Sequence, residues 1–534
     1  MSIAGARGVD LAASLGRIVI AILRACLPLA VAGLTGLASA TAAERINQEG
    51  RILGPLPVVT NAVLFDTPEA DGIVSAMSIF PVTSAWNEDI SRRPLLTNSD
   101  AMIAQIISDL SSSRRSLRGF FEMNFVLAPD DQALVPIEFV DYPDESDLNG
   151  GVSPDGSYPI PGNMPVEGWP TQTSGETLLQ AQQDALGLGG DRHSIVVQPG
   201  TGWLFETWEA LLSGTNWQAA NGAMFNLNTN GQRPAGWTSG DAAGLPMFPA
   251  LVRYDECERG MVEHACRLVV KRTRYHTYIY PANHYAASSA NTNADLPAMG
   301  QRLRLKASFT IPPTWTKEEQ AVLLGLKKYG GLVADNGNFF SLSITPDDRW
   351  PAGAFDDLSS IGITNFEVIQ STGPNEGPRS PGAPMAYAGA DRYVALGTPA
   401  TLQGFVNYAG SPPAVLWRLY SGPGAATFAN PSQTNTPVSF SAPGAYTLML
   451  SADDGVHAVA YAAVVLTVGQ PFALGAAPAG TNLVLSWSGG APPFTIEGTD
   501  SLSTGVWTSL VTTSGQRVSL PLAGRCGFFR VVGQ

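Results

Sequence analysis

At 534 residues the chain is too long for one ordinary hydrophobic core, and its length points to three or four domains. Apolar residues make up 44% and charged residues only 14%, which excludes a disordered chain. The net charge of −14 argues against nucleic acid as a partner, because neutralising phosphates needs clustered Lys and Arg.

Arg7 and Arg17 precede an apolar run over 18–37, broken by Arg24, and small residues fill 38–43. This pattern predicts an export signal over 1–43, cleaved between Ala40 and Ala43. The run approaches membrane-spanning length, so an uncleaved anchor is the alternative. The mature protein is expected to be secreted, periplasmic or at the cell surface, soluble and monomeric, with no membrane partner after cleavage.

With 56 Gly and 40 Pro among many short Val, Ile, Leu, Thr and Tyr runs, the fold class expected is mainly β. A large β-sandwich-rich domain with a few helices is placed at 44–370. Residues 44–83 read as an irregular lead-in. A helix is predicted over 100–117, where Ile103, Ile106, Ile107 and Leu110 form one stripe. Strands are predicted over 120–127 and 134–140, an ordered loop over 141–169, and a short helix over 178–186. Short strands then follow at 194–197, 203–208, 223–226, 268–270, 276–280 and 302–309. A helix over 318–329 is capped by Thr316 and stopped by Gly330-Gly331.

Cys257 and Cys266 flank Gly260, which permits a tight turn between two strands. A hairpin-bridging disulfide is the expectation, and two buried free thiols are the alternative. A zinc pair is disfavoured because no second Cys pair exists.

The polar chemistry concentrates between 190 and 337, which holds His193, His264, His276 and His284. A hairpin turning at 199–202 would place His193 and Glu206 on one face. Asp241 lies in the Gly/Ser-rich loop Gly236-Trp237-Thr238-Ser239-Gly240-Asp241, a setting that raises a carboxylate pKa; its structural alternative is a cap or loop staple. If 251–256 is a strand, Asp255 and Glu256 point to opposite faces. Arg253 then shares a face with Asp255, as a binding group or a plain ion pair. A glycosidase needs two carboxylates about 5–5.5 Å apart for retention or about 6.5–9.5 Å for inversion. Asp241 and Glu206 are the pair selected, with His193 and His284 tuning charge or contacting hydroxyls. Trp237, Arg253, Asp255, His264 and Asp335 are the candidate substrate contacts. No metal or cofactor is expected. Ser239 and Ser308 lack a nucleophile-elbow motif. His284, Tyr285, Arg302 and Lys306 would serve a lyase acting on a uronate. Trp203, Trp208, Trp217, Trp237, Tyr254, Tyr278 and Tyr280 suit sugar stacking, with one or two expected to be exposed and the rest in the core.

The phrases Gly-Asp-Arg-His, Leu-Val-Arg-Tyr-Asp-Glu, Tyr-Pro-Ala-Asn-His and Ala-Asp-Asn-Gly resemble those of an exported bacterial family of uncharacterised function, over 80–369. That resemblance implies no activity.

Residues 371–383 read as a linker. Beyond them come Leu416-Trp417, Gly444-Ala445-Tyr446-Thr447-Leu448 and Asp453-Asp454-Gly455. This block, 384–468, resembles the PKD-like immunoglobulin-type sandwich, which implies a core role for Trp417 and a spacer or weak polysaccharide-binding module. Residues 472–534, with Leu483-Val484-Leu485-Ser486-Trp487 and Phe528-Phe529-Arg530-Val531-Val532, resemble the small C-terminal β-domain of many exported bacterial proteins.

These readings converge on an exported carbohydrate-active enzyme that hydrolyses glycosidic bonds of a polysaccharide. The rivals are a non-catalytic glycan-binding or adhesion protein and a polysaccharide lyase. The partner expected in each case is a polysaccharide or glycan.

Overall fold

The computed structural model describes residues 18–23, 31–33, 45–170, 175–370, 382–457, 459–490, 492–500, 506–521 and 526–533. Most of the expected export signal and of the 371–383 linker lies outside these residues. Within 1–43 the described stretches are the strands Ile18–Leu23 and Val31–Gly33. Among the described residues no helix is long and apolar enough to cross a membrane. The chain is mainly β and forms two compact units. One unit comprises 45–383 with 455–458; the other comprises 384–454 and 459–534 with 1–44.

Among the described residues, three sheets build the first unit. A five-stranded sheet runs Asn221–Asn226, Trp203–Trp208, Ser194–Gln198, Val126–Leu127, Val63–Leu64. All five residues of Ser194–Gln198 are buried, because this central strand serves two cores. Ile195 and Val197 enter the larger core, whereas Val196 enters a smaller one. The smaller core lies against a four-stranded sheet that contains Val135–Phe139 and Asp155–Tyr158, with Phe139, Tyr158 and Trp217 packed together. The larger core also takes in a six-stranded sheet, in which Cys266–Val270 lies between Gly331–Asn336 and Phe340–Ile344.

Ser194–Gln198 and Trp203–Trp208 form the expected hairpin, with Ile195 opposite Glu206 and Val197 opposite Leu204. Glu206 therefore shares its face with Leu204 and points into the larger core. Helix Lys317–Lys328 forms as expected, and Thr316 and Glu319 exchange hydrogen bonds in a capping box. Helix Ser99–Asp109 is shorter than expected. The serine run at 111–113 favours local hydrogen bonding over helix, and the chain re-enters a strand at Leu117–Phe121. The lead-in also holds helix Pro68–Ala76.

Two expectations at 251–266 are corrected. Tyr254–Arg259 is a helix, not a strand, so Asp255 and Glu256 are both buried side by side on its first turn. Gly260, at φ 93°, ends that helix in the left-handed conformation instead of turning a hairpin. The disulfide falls with the hairpin. Cys257 sits on the helix, Cys266 starts a strand, and both are buried free thiols.

The second unit carries two separate cores. One packs Trp417, Tyr446, Leu448, Leu450, Val464 and Leu466 between the strands Ala414–Ser421, Gly444–Asp453 and Ala460–Gly469 and the short strands around Pro437–Phe440. Trp417 is 2% exposed, a core residue as expected. The other core gathers Leu483, Leu485, Trp487, Phe494, Ile496 and Val531.

Candidate functional site

The residues singled out in the sequence fall into three groups within the first unit. The first is a buried ionic centre. Glu206 is fully buried, and its carboxylate accepts hydrogen bonds from the Met247 and Phe248 amides at 2.9–3.0 Å. Burial outweighs those two amides and pushes its pKa up to about 8. Asp241 is 1% exposed and accepts from both Nε and Nη2 of Arg267, at 3.1 and 3.2 Å. Burial raises Asp241 to about 6 against the pull of Arg267. The same guanidinium reaches Asp335 at 2.7 Å and Ser343 at 3.3 Å, and Ser343 donates to Glu122. Burial lifts Glu122 to about 7. His193 is 3% exposed and lies beside Gly240, where a Cβ would stand 3.4 Å from its Nδ1.

The structure thus gathers Glu206, Asp241 and His193, but it does so in the interior. Arg267 and Glu122 were missed by the sequence reading. The one signal for Arg267 was a charged residue inside the apolar strand Cys-Arg-Leu-Val-Val. Of this centre's carboxylates, Asp335 alone was also chosen as a substrate contact, and its side chain is 27% exposed.

The second group lines an open pocket. It holds three of the candidate substrate contacts: Arg253, Asp255 and His264. Each is held by a protein partner. Arg253 pairs with Glu256 at 3.0 Å, His264 Nε2 meets the same carboxylate at 3.0 Å, and Asp255 takes Arg259 at 2.6 Å. Although burial opposes it, Arg253 and His264 hold Glu256 down at about 2. Arg51 closes the rim on Glu263 at 2.9 Å.

The third group is a patch of rings. His276 is exposed, and Tyr275, His284 and Tyr285 are half-buried. His276 stacks on Tyr275 at 4.1 Å between centroids and meets the edge of Tyr285 at 4.6 Å. Tyr285 continues the row to His284 at 5.8 Å, with the planes within 21°. His276 adopts φ 52°, a left-handed backbone that a non-glycine residue holds only under constraint. His284 Nδ1 donates to the Ala242 carbonyl at 2.7 Å, which seats the row against the Asp241 loop. Asn336, next to Asp335, donates to the carbonyl of Ala286. This bond ties the loop that carries the row to the strand end that carries the partly open Asp335. Tyr275 had no distinguishing signal in the sequence.

Of the rings proposed for sugar stacking, Trp217 and Tyr280 are buried, and Trp203, Trp208, Trp237, Tyr254 and Tyr278 are half-buried. The Arg233 guanidinium stands 5.5 Å from the Trp237 ring.

No curated protein matches the chain. Solved structures match parts of it. Domains A168–A170 from titin share 13% identity, covering 31% of this chain and 73% of theirs, with a TM-score of 0.17. A nucleoside hydrolase-related hypothetical protein from Saccharophagus degradans shares 17% identity over 36% of this chain and half of its own, at 0.16. The secreted serine protease VesC from Vibrio cholerae shares 10% over 28% of this chain and 46% of its own, at 0.14. Likeness at this level assigns no function. Residues 388–468 match a family model of the PKD domain, and this segment is a PKD-like domain.

Proposed function

We propose that the protein is an exported glycan-binding protein, and that its large domain holds carbohydrate on the ring row Tyr275, His276, Tyr285 and His284. The observation that carries this reading is the row itself. One exposed and three half-buried rings form a single row, on a loop bonded to the neighbour of the partly open Asp335. Flat rings offer apolar faces to the C–H surface of a pyranose, and Asp335 and the His276 ring offer polar edges to its hydroxyls. The PKD-like segment fits the same role as a spacer. The hydrolytic reading draws less support. Glu206 and Asp241 have the raised pKa values of a catalytic pair, yet they are 0% and 1% exposed and are bonded to backbone amides and to Arg267.

The test is retention of the intact protein on insoluble polysaccharides of different composition, with the soluble fraction assayed for new reducing ends and for unsaturated products. Retention on at least one polymer is expected, with no product. Replacing His276 and Tyr285 together by Ala should lower the affinity about thirtyfold, since each ring contributes on the order of 1 kcal/mol. Product formation would sink the proposal and restore a hydrolase or lyase.

A further inference from the structure

Around Tyr280, Pro281 and Asn283 lies a second, open pocket, distinct from the ring row. Its walls combine the rings of Phe80, Trp86 and Phe225 with the amides of Asn230, Gln232 and Asn283. Arg233 is the charged residue lining it, and its guanidinium is already consumed by Asp147 at 2.6 Å and by the Glu145 and Thr238 carbonyls. The pocket is therefore electrically neutral in effect.

Asn283 is 5% exposed. Its Nδ2 donates to the carbonyls of Arg233 and Pro234, at 3.3 and 2.8 Å, which fixes the other end of the amide as oxygen. That Oδ1 is buried and finds no donor among the described residues. It rests over the open side of Gly244, another wall residue, where a Cβ would stand 1.9 Å away. Asn230 also lines the pocket; one end of its amide meets the Thr83 hydroxyl and the other is buried without a partner among the described residues. An orphan acceptor at this depth costs about 1–3 kcal/mol unless a ligand supplies the donor. Phe80 adds a strained element. It holds φ 61°, fixed by a bond from its amide to the Leu227 carbonyl at 2.8 Å, and this presents its ring parallel to Trp86.

An unfilled acceptor at Asn283, further side-chain amides, aromatic walls and no free charge select a ligand with hydroxyl groups and an apolar C–H face. We infer that this pocket binds one residue of a neutral sugar, such as the terminal unit of a glycan held on the neighbouring ring row. The inference deepens the glycan-binding reading and rests on it for the chain to which that unit belongs.

The experiment is calorimetric and saturation-transfer NMR titration of the intact protein. The probes are D-glucose, D-galactose, D-mannose, D-xylose, L-arabinose and N-acetyl-D-glucosamine, with D-glucuronate as the charged control. Saturable binding of at least one neutral sugar is expected, and it should be clearly tighter than that of glucuronate. Asn283→Leu should abolish it, but this buried change also risks the fold. Gln232 is exposed at the rim, so Gln232→Trp tests the pocket from outside the core. It should weaken monosaccharide binding about tenfold or more. Polysaccharide retention without any monosaccharide binding would overturn this inference and leave the glycan-binding reading standing. Equal binding of glucuronate, or binding indifferent to Gln232→Trp, would also overturn it.

Discussion

Arg267 ties together the buried ionic centre of the large domain. Its guanidinium neutralises Asp241 through two bonds, reaches Asp335 and steadies Ser343, while being 3% exposed. Removing one member of a buried pair leaves the other charge without compensation, at a cost of about 3–5 kcal/mol. Arg267→Met should cost that much in urea-induced unfolding at pH 8. The cost should shrink at pH 5, where Asp241 can take up a proton instead. Arg51, whose side chain is 24% exposed in its pair with Glu263, should lose at most about 1 kcal/mol on replacement by Ala. The same burial sets a pH dependence. Glu206, Glu122 and Asp241 are all raised in the folded state, to about 8, 7 and 6. Between the ordinary carboxylate range and those values the folded state binds more protons than the unfolded state, so stability falls as pH rises. Glu256, held at about 2, acts oppositely, but its loss comes only below the ordinary carboxylate range. The melting temperature should therefore decline from about pH 5 to pH 8. Glu206→Gln should flatten that decline, since its neutral amide can still accept from Met247 and Phe248. A flat wild-type profile would show that these carboxylates are not held protonated.

The thiols belong to the scale of the element, because the helix Tyr254–Arg259 decided their fate. Burial pushes the Cys266 thiol up to about 12 and that of Cys257 well above its ordinary value, so neither carries the reactive thiolate in the native protein. Alkylation without reductant should leave both untouched in the native state and modify both once the chain is denatured. Recovery of a linked 257–266 peptide would refute the free-thiol structure. This stretch also shows where the sequence was hard to read. Over 194–208 two short apolar runs flank the turn residues Pro199-Gly200-Thr201-Gly202, and the hairpin formed where expected. Thr316 marked a helix start through local chemistry alone. At 251–260, Leu-Val-Arg-Tyr-Asp-Glu-Cys-Glu-Arg-Gly fits two periods at once. Gly260 can turn a hairpin or stop a helix, and tertiary packing chose the helix. The candidate site was legible only as a list of polar residues. Whether Glu206 faces solvent or core depends on which sheet covers its strand. Whether Asp241 is free depends on Arg267, which lies 26 positions away. Long-range pairing of this kind leaves no local periodicity to read.

At the scale of the whole molecule, the cores are separate. The PKD-like segment buries Trp417, Tyr446 and Leu450 in one cluster, and the first unit buries its own residues in two others. Chains built this way need not unfold in one step, because each core is a cooperative unit of its own. Trp417 is a suitable probe. It is 2% exposed, its indole donates to the Thr434 carbonyl at 3.0 Å, and its ring leaves room for nothing larger than Gly404 beside it. Trp417→Ala should remove about 3–5 kcal/mol from the PKD-like segment. In scanning calorimetry of the full chain, one transition should move down by many degrees while that of the large domain stays in place. The Arg267→Met variant should do the reverse. If either substitution shifted every transition together, the cores would be energetically coupled. The PKD-like segment would then be part of the scaffold of the large domain rather than a spacer beside it.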